Sequence, residues 1–278
     1  MIKKAHNERN RKMKYKVGFI GCGNMAKAII GGLINNAGIT PKEIIAADAS
    51  KEAIEKASDN IGIDTTLNNK EVASNSDVLF LSVKPQFYET VITEIKDSIS
   101  ANQIVVTIAP GKTLAWLAER IGSDVKLVRT MPNTPALVGE GITAVCKNSL
   151  VSEEEFSYIM SLLSSFGLAE EISENLMDVV VSVSGSSPAY VFMFIEAMAD
   201  AAVLDGMPRD KAYKFAAQAV LGSAKMVIET GKHPGELKDM VCSPAGTTIE
   251  AVRVLEEKGF RSSVIEAMKA CTDKSKSL

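Results

Sequence analysis

Residues 16 to 30, KVGFIGCGNMAKAII, set Gly21, Gly23 and Ala26 between an apolar β-rich run and a run with helical spacing. A G-x-G-x-x-A string alone says little, because any small-residue turn can match it. Between a strand and a helix it is informative. Gly21 permits the tight turn, Gly23 lets backbone N–H groups approach a pyrophosphate, and the small Ala26 lets helix and strand pack closely. The helix start then offers free N–H groups to the phosphates. Asp48 closes the next β-rich run about twenty residues on, where an acidic side chain accepts hydrogen bonds from an unmodified adenosine ribose. A 2′-phosphate would meet like charge there, which favours NADH, unless Asp48 turns away and leaves Ser50 and Lys51 to the phosphate. The alternative for Asp48 is a helix N-cap.

The rest of the N-terminal half extends this unit. KVGFI, EIIAAD, DVLFLSV, QIVVTI, KLVRT and ITAVC alternate with amphipathic stretches, the pattern of a parallel sheet covered by helices. We read residues 13–172 as an α/β, Rossmann-type dinucleotide-binding domain and residues 173–278 as an all-α domain for substrate binding and dimerisation. The second part reads as helices over Pro188–Gly206, Arg209–Thr230, Pro234–Cys242, Thr247–Lys258 and Phe260–Lys274, bounded by glycine and proline. PAYVFMFIEAMADAAVL is apolar on nearly every face, so its helix should be buried on all sides. A domain of roughly 100 residues has difficulty enclosing such a helix. We expect a second subunit to cover it, giving a homodimer or a larger assembly of dimers; burial against the first domain is the alternative.

Several partner classes are disfavoured. A net charge of −3 supplies no field for phosphate backbones, so no nucleic acid is expected. The four cysteines, Cys22, Cys146, Cys242 and Cys271, lack zinc-ligand spacing and disulfide density, which fits a reducing cytoplasm and no metal. We find no apolar run near the roughly 20 residues of a membrane span. Residues Met1 to Lys14 are polar and basic, and Met13 stands just before the first strand; a solvated tail or an upstream start codon is expected there, ahead of an organelle-targeting peptide.

The other chemistry-bearing segment is KDMVCSPAGTTIEAVRVLEEKGF. Ser243 to Gly246 form a small-residue turn opening the helix that starts at Thr247 and Thr248, a ready carboxylate site. Plain N-capping by Thr247 or Ser243 is the alternative. Lys84, Ile108–Gly111 and Arg129–Pro135 gather at the carboxyl rim of the sheet, where ligands of such folds collect. Lys84 contacts cofactor there or is an ordinary exposed lysine. Histidine is nearly absent: His6 lies in the tail and His233 beside Pro234. Reducing a ketone builds an alkoxide that needs a proton donor. A protonated imine already carries the charge that draws a hydride, so the protein need only position and desolvate it.

From Lys16 to about Ser275 the chain resembles the pyrroline-5-carboxylate reductases. The resemblance rests on GFIGCGNMAKAI, DVLFLSVKPQ, VRTMPNTPALVGEGITAV, VSGSSPAYVFMFIEAMADAAVLDGM and LKDMVCSPAGTTIEAVRVLEEKGFRSSV. It implies reduction of 1-pyrroline-5-carboxylate, a small-molecule substrate, to L-proline with NADPH or NADH, the last step of proline biosynthesis. It also implies that Gly21, Gly23, Asn24 and Met25 cradle the pyrophosphate. Asp48 would face the adenosine ribose with Asn69 near it, and Val83 and Lys84 would line the cofactor. Ser243, Gly246, Thr247 and Thr248 would hold the substrate carboxylate, with the Thr248 hydroxyl assisting the ring nitrogen. Glu174 would contact that nitrogen across the dimer cleft.

The chain departs from the family pattern at Ala245 and Pro110, where many relatives carry glycine and alanine, and at Asp48, which puts the usual NADPH preference in doubt. Ala245 is tolerable with a negative φ; Pro110 removes a backbone N–H from the rim. Two enzymatic alternatives are a reductase of another cyclic imino acid and a β-hydroxyacid dehydrogenase. The second normally carries a catalytic lysine early in its helical domain, and no lysine lies between Ser184 and Asp205. A non-enzymatic dinucleotide sensor explains the glycine loop but leaves the SPAGTT turn idle.

Overall fold

A computed structural model describes residues 13–277; the expected basic tail and His6 lie outside the described residues. Strands β1 (Tyr15–Ile20), β2 (Ile44–Ala47), β3 (Asp64–Thr66), β4 (Ser76–Leu81), β5 (Ile104–Thr107), β6 (Lys126–Met131), β7 (Gly141–Lys147) and β8 (Gly167–Glu171) form one sheet in the order β3-β2-β1-β4-β5-β6-β7-β8. Helices α1 (Asn24–Asn36), α2 (Lys51–Ile61), α3 (Asn69–Asn75), α4 (Tyr88–Ile95), α5 (Leu114–Ile121) and α6 (Glu153–Leu163) connect them. The central strands read as continuous apolar runs because both faces are covered, one by a core around Phe19, Ile30 and Phe80, the other around Ile20, Leu79 and Tyr88. Phe19 and Phe80 stack at 4.9 Å across β1 and β4.

One pairing departs from the expected parallel sheet, and two strands are unexpected. β7 runs antiparallel to β6, because only residues 132–140 join them and an antiparallel neighbour needs no crossover helix. β3 and β8 escape the sequence pattern: β3 has three half-buried residues, and in GLAEE only Ala169 is buried.

Beyond β8 the chain is helical, through α7 (Met177–Val180), a π-helical stretch (Val181–Gly185), α8 (Ser187–Leu204), α9 (Arg209–Thr230), α10 (Pro234–Val241), α11 (Thr247–Glu257) and α12 (Phe260–Lys276). All five long-range helix expectations for this part match to within a few residues. Compact packing divides the chain at Gly185/Ser186 and returns Thr272 onward to the first unit. The reason is local: Thr272 bonds Ser182 at 2.9 Å and Ser275 bonds Asp178 at 2.8 Å.

The unit Ser186–Cys271 encloses almost nothing by itself, since its only buried residues are Ala199, Ala212 and Ala216. Phe192, Met193 and Leu204 of α8 stand 61%, 68% and 88% exposed. One expectation is corrected here. Glu174–Leu204 passes as long and apolar enough, by length and composition only, to cross a membrane, through an 18-residue window of mean hydropathy 1.4. The helix boundary expected near Gly185 to Pro188 is present: the π-helical stretch ends at Gly185, Ser186 is a bend, and α8 starts afresh at Ser187 with Pro188 in its first turn.

Candidate active site

Beyond β1 the chain turns through Gly21, Cys22 and Gly23 into α1. Gly21 has φ +100°, and a Cβ there would lie 2.7 Å from the Ser82 backbone, so conformation and space both require glycine. Its N–H donates to the Ala47 carbonyl at 2.8 Å. The Ser82 hydroxyl lies 2.8 Å from the Gly21 carbonyl and 3.0 Å from that of Ile20, and it shares its proton between them. Sequence reading passed over Ser82; a serine directly ahead of Val83 and Lys84 was the available signal.

Gly23 is the opposite case. As N-cap of α1 it has φ −73°, which any residue adopts, but a Cβ would meet nothing within 4 Å. Its glycine leaves room for a ligand. α1 has no side-chain cap and no acid in its first turn, so its leading N–H groups, at Asn24 and Met25, are left for an anion. Ala26 is buried against the sheet, as close helix–strand packing needs. These features fit a dinucleotide pyrophosphate.

Asp48 sits just past β2. Its Oδ2 accepts from the Cys22 N–H at 2.8 Å and its Oδ1 from the Ser50 N–H at 2.9 Å. The cap of α2 is Ser50, whose hydroxyl accepts from the Ala53 N–H, so Asp48 ties the glycine loop to the β2 edge instead of capping. Burial, with the Asp48 charge adding to it, pushes the Cys22 thiol up. Asn69 opens α3 and gives its amide to Glu94 at 2.8 Å.

At the ends of β4 and β5, Val83 packs half-buried against the core while Lys84 is exposed. The fully buried Tyr88 hydroxyl donates to the Leu81 carbonyl and accepts from Thr107 at 2.8 Å, pinning both strand ends. Burial raises its pKa and keeps it neutral. Asn133, extended between Pro132 and Pro135, donates to the Ser184 carbonyl at 3.1 Å and accepts from the Ile142 N–H at 2.9 Å.

The structure gives Glu174 a different occupation from the expected substrate contact. Its Oε1 accepts from the Leu114 N–H at 2.7 Å and pairs with Arg129 at 3.0 Å, all within the first unit. Arg129 and Ser82 both stand inside sequence motifs, but their partners, Glu174 and the Gly21 carbonyl, come from long-range packing alone.

The second unit carries the other set. Ser243 to Gly246 form a turn closed by the Gly246 N–H on the Ser243 carbonyl at 3.0 Å, and α11 starts at Thr247. Ala245 has φ +54°, the one positive φ outside glycine among the described residues, so the expectation of a negative φ is overturned. The turn demands a left-handed residue before Gly246 whether or not glycine supplies it. The cap of α11 is Gly246, with no side-chain hydrogen bond, so the alternative of capping by Ser243 or Thr247 does not hold. Ser243 and Thr247 are exposed and Thr248 is half-buried at this open helix start.

Known proteins resemble the chain along both of these parts. A family model described as pyrroline-5-carboxylate reductase dimerisation matches residues 174–278, and one described as NADP oxidoreductase, coenzyme F420-dependent, matches residues 16–111. A pyrroline-5-carboxylate reductase of Escherichia coli is 57% identical over 266 residues, covering 96% of this chain and 99% of the relative. One from Methanosarcina acetivorans is 41% identical over 95% of this chain and 97% of its own length. Among solved structures, the Plasmodium falciparum pyrroline carboxylate reductase with NADP bound superposes with a TM-score of 0.87 at 33% identity, covering 95% of this chain and 98% of that one.

Proposed function

The chain belongs to the pyrroline-5-carboxylate reductase family and reduces 1-pyrroline-5-carboxylate to L-proline with NAD(P)H, and from that premise we propose which residues do this. The observation that carries the assignment is the start of α11, where the turn through the left-handed Ala245 leaves Gly246 as an N-cap without a side-chain bond and puts Thr247 and Thr248 at the first two helical positions. The N–H groups and hydroxyls of Ser243, Gly246 and Thr247 hold the substrate carboxylate there. The Thr248 hydroxyl lies at the ring nitrogen and orients its proton.

Gly21, Gly23, Asn24 and Met25 hold the cofactor pyrophosphate on the uncapped α1, Asp48 takes the adenosine ribose, and Val83 and Lys84 line the nicotinamide side. Asn69 borders the adenosine side, its amide already held by Glu94. When bound, the cofactor supplies the hydride. The protonated imine brings its own proton, so no histidine is needed, and the protein's part is to position and exclude water. Glu174 we assign to the fold instead of the substrate, because Arg129 and the α5 start already occupy its carboxylate.

The protein is a homo-oligomer; we assign the exposed apolar surface of α8 to pairing of two subunits, and larger assemblies to pairs of such pairs. Lipid is disfavoured because Glu196 and Asp200 interrupt that helix, and nucleic acid because the charge is −3. All four cysteines are unpaired thiols, which favours a cytoplasmic setting. The test is loss of reduced-nicotinamide absorbance on adding pyrroline-5-carboxylate to the purified protein. No turnover with either NADH or NADPH would sink the reading.

A further inference from the structure

We propose that Asp48, held by two backbone N–H groups, makes this chain select NADH over NADPH. The inference rests on the cofactor site described above and concerns the adenosine end alone. An acidic residue at the end of the second strand accepts the 2′- and 3′-hydroxyls of an unmodified ribose and repels a 2′-phosphate. That repulsion can be evaded only if the carboxylate swings out or if neighbouring groups take the phosphate.

The geometry opposes both routes. Oδ2 is fixed by the Cys22 N–H at 2.8 Å and Oδ1 by the Ser50 N–H at 2.9 Å, so swinging out breaks two hydrogen bonds and frees the glycine loop. Each oxygen keeps a second lone pair for a ribose hydroxyl. Ser50 is partly engaged: its N–H goes to Asp48 and its hydroxyl oxygen accepts from the Ala53 N–H, which leaves a single neutral O–H to meet a 2′-phosphate. Lys51 leans toward Glu55 at 3.7 Å, and the loop Asp48–Lys51 contains no arginine to fork a phosphate.

Direct binding tests this without turnover. NADH and NADPH are titrated into the purified, substrate-free protein by nicotinamide fluorescence, and 5′-AMP and 2′,5′-ADP compete for the adenosine end. NADH should bind at least about tenfold more tightly, 5′-AMP should displace it better than 2′,5′-ADP, and added salt should narrow both gaps. Asp48→Asn keeps an acceptor oxygen for the loop and removes the charge, so NADPH should come within about threefold of NADH. Equal or tighter NADPH binding by the unmodified chain overturns the proposal, as does an unmoved ratio in Asp48→Asn. Failure of both cofactors to bind overturns it along with the glycine-loop assignment beneath it.

Discussion

Arg129, in the middle of the sheet with its side chain 5% exposed, has its charge met by Glu174, the first residue of the matched dimerisation segment, at 3.0 Å. The same carboxylate oxygen accepts from the Leu114 N–H at 2.7 Å, adding to the Thr113 side-chain cap at the start of α5. One glutamate thus ties β6, α5 and the entry to the helical half together. Glu174→Ala leaves a buried guanidinium without its partner, and we expect a loss of about 2 kcal/mol in unfolding free energy, below the full penalty of a buried pair because Glu174 itself is partly exposed. Denaturant titration measures this. KM for the imine should stay within about twofold, as an intradomain clamp predicts; a large rise in KM at unchanged stability would return Glu174 to the substrate.

Ala245 offers a gain instead of a loss. At φ +54° its Cβ crowds the following carbonyl, a strain of about 1 kcal/mol or more that glycine avoids. Part of the relief is offset by the greater freedom of glycine in the unfolded chain. Ala245→Gly should therefore stabilise by up to about 1 kcal/mol, read as a higher thermal midpoint. Ala245→Val should do the reverse, since a β-branched side chain fits that region worst.

The sequence made the dinucleotide half legible because its signal is local. Gly21, Gly23 and Ala26 sit between elements whose periodicity differs, and each glycine has a visible reason in the structure. The helical half was legible at its ends, where Pro188, Gly231, Pro234 and Gly246 punctuate it. What escaped was non-local. The antiparallel turn of β7, the short β3, the Glu174–Arg129 pair and the Ser82 hydroxyl all depend on which strand lies beside which, and no spacing encodes that. Ala245 failed differently: alanine suggests an ordinary φ, and the turn overrode the residue's own preference.

Cys146 predicts an alkaline weakness. Burial, with the nearby Glu174 charge next, pushes its thiol from 9.0 up to about 12. A thiol whose pKa is raised on folding stabilises the fold fully below its unfolded value, and that contribution is lost as pH climbs from about 9 toward about 12. In Cys146→Ala the stability curve should be flatter across that window than in the unmodified chain, whatever the other alkaline groups do, because they are common to both. At neutral pH the thiol should resist alkylation until the protein is unfolded. Parallel stability curves for the two proteins would show that Cys146 titrates normally.

Thr248 is where the proposed chemistry is most exposed to test. It stands half-buried at the second position of α11, behind an N-terminus that no side chain caps, while the cofactor residues belong to the other compact unit. Thr248→Ala removes one hydroxyl and leaves the helix start, its N–H groups and the glycine loop in place. If that hydroxyl orients the imine nitrogen, kcat/KM for pyrroline-5-carboxylate should fall about 10- to 100-fold, the worth of one hydrogen bond to a charged partner. The dissociation constant of the reduced cofactor, measured without substrate, should not move. Thr248→Ser restores the hydroxyl without the methyl group and should recover most of the rate. Equal loss of turnover and cofactor binding in Thr248→Ala would mean that the substrate turn lies elsewhere. Loss that serine cannot rescue would mean that the methyl group, through packing, was the part that mattered.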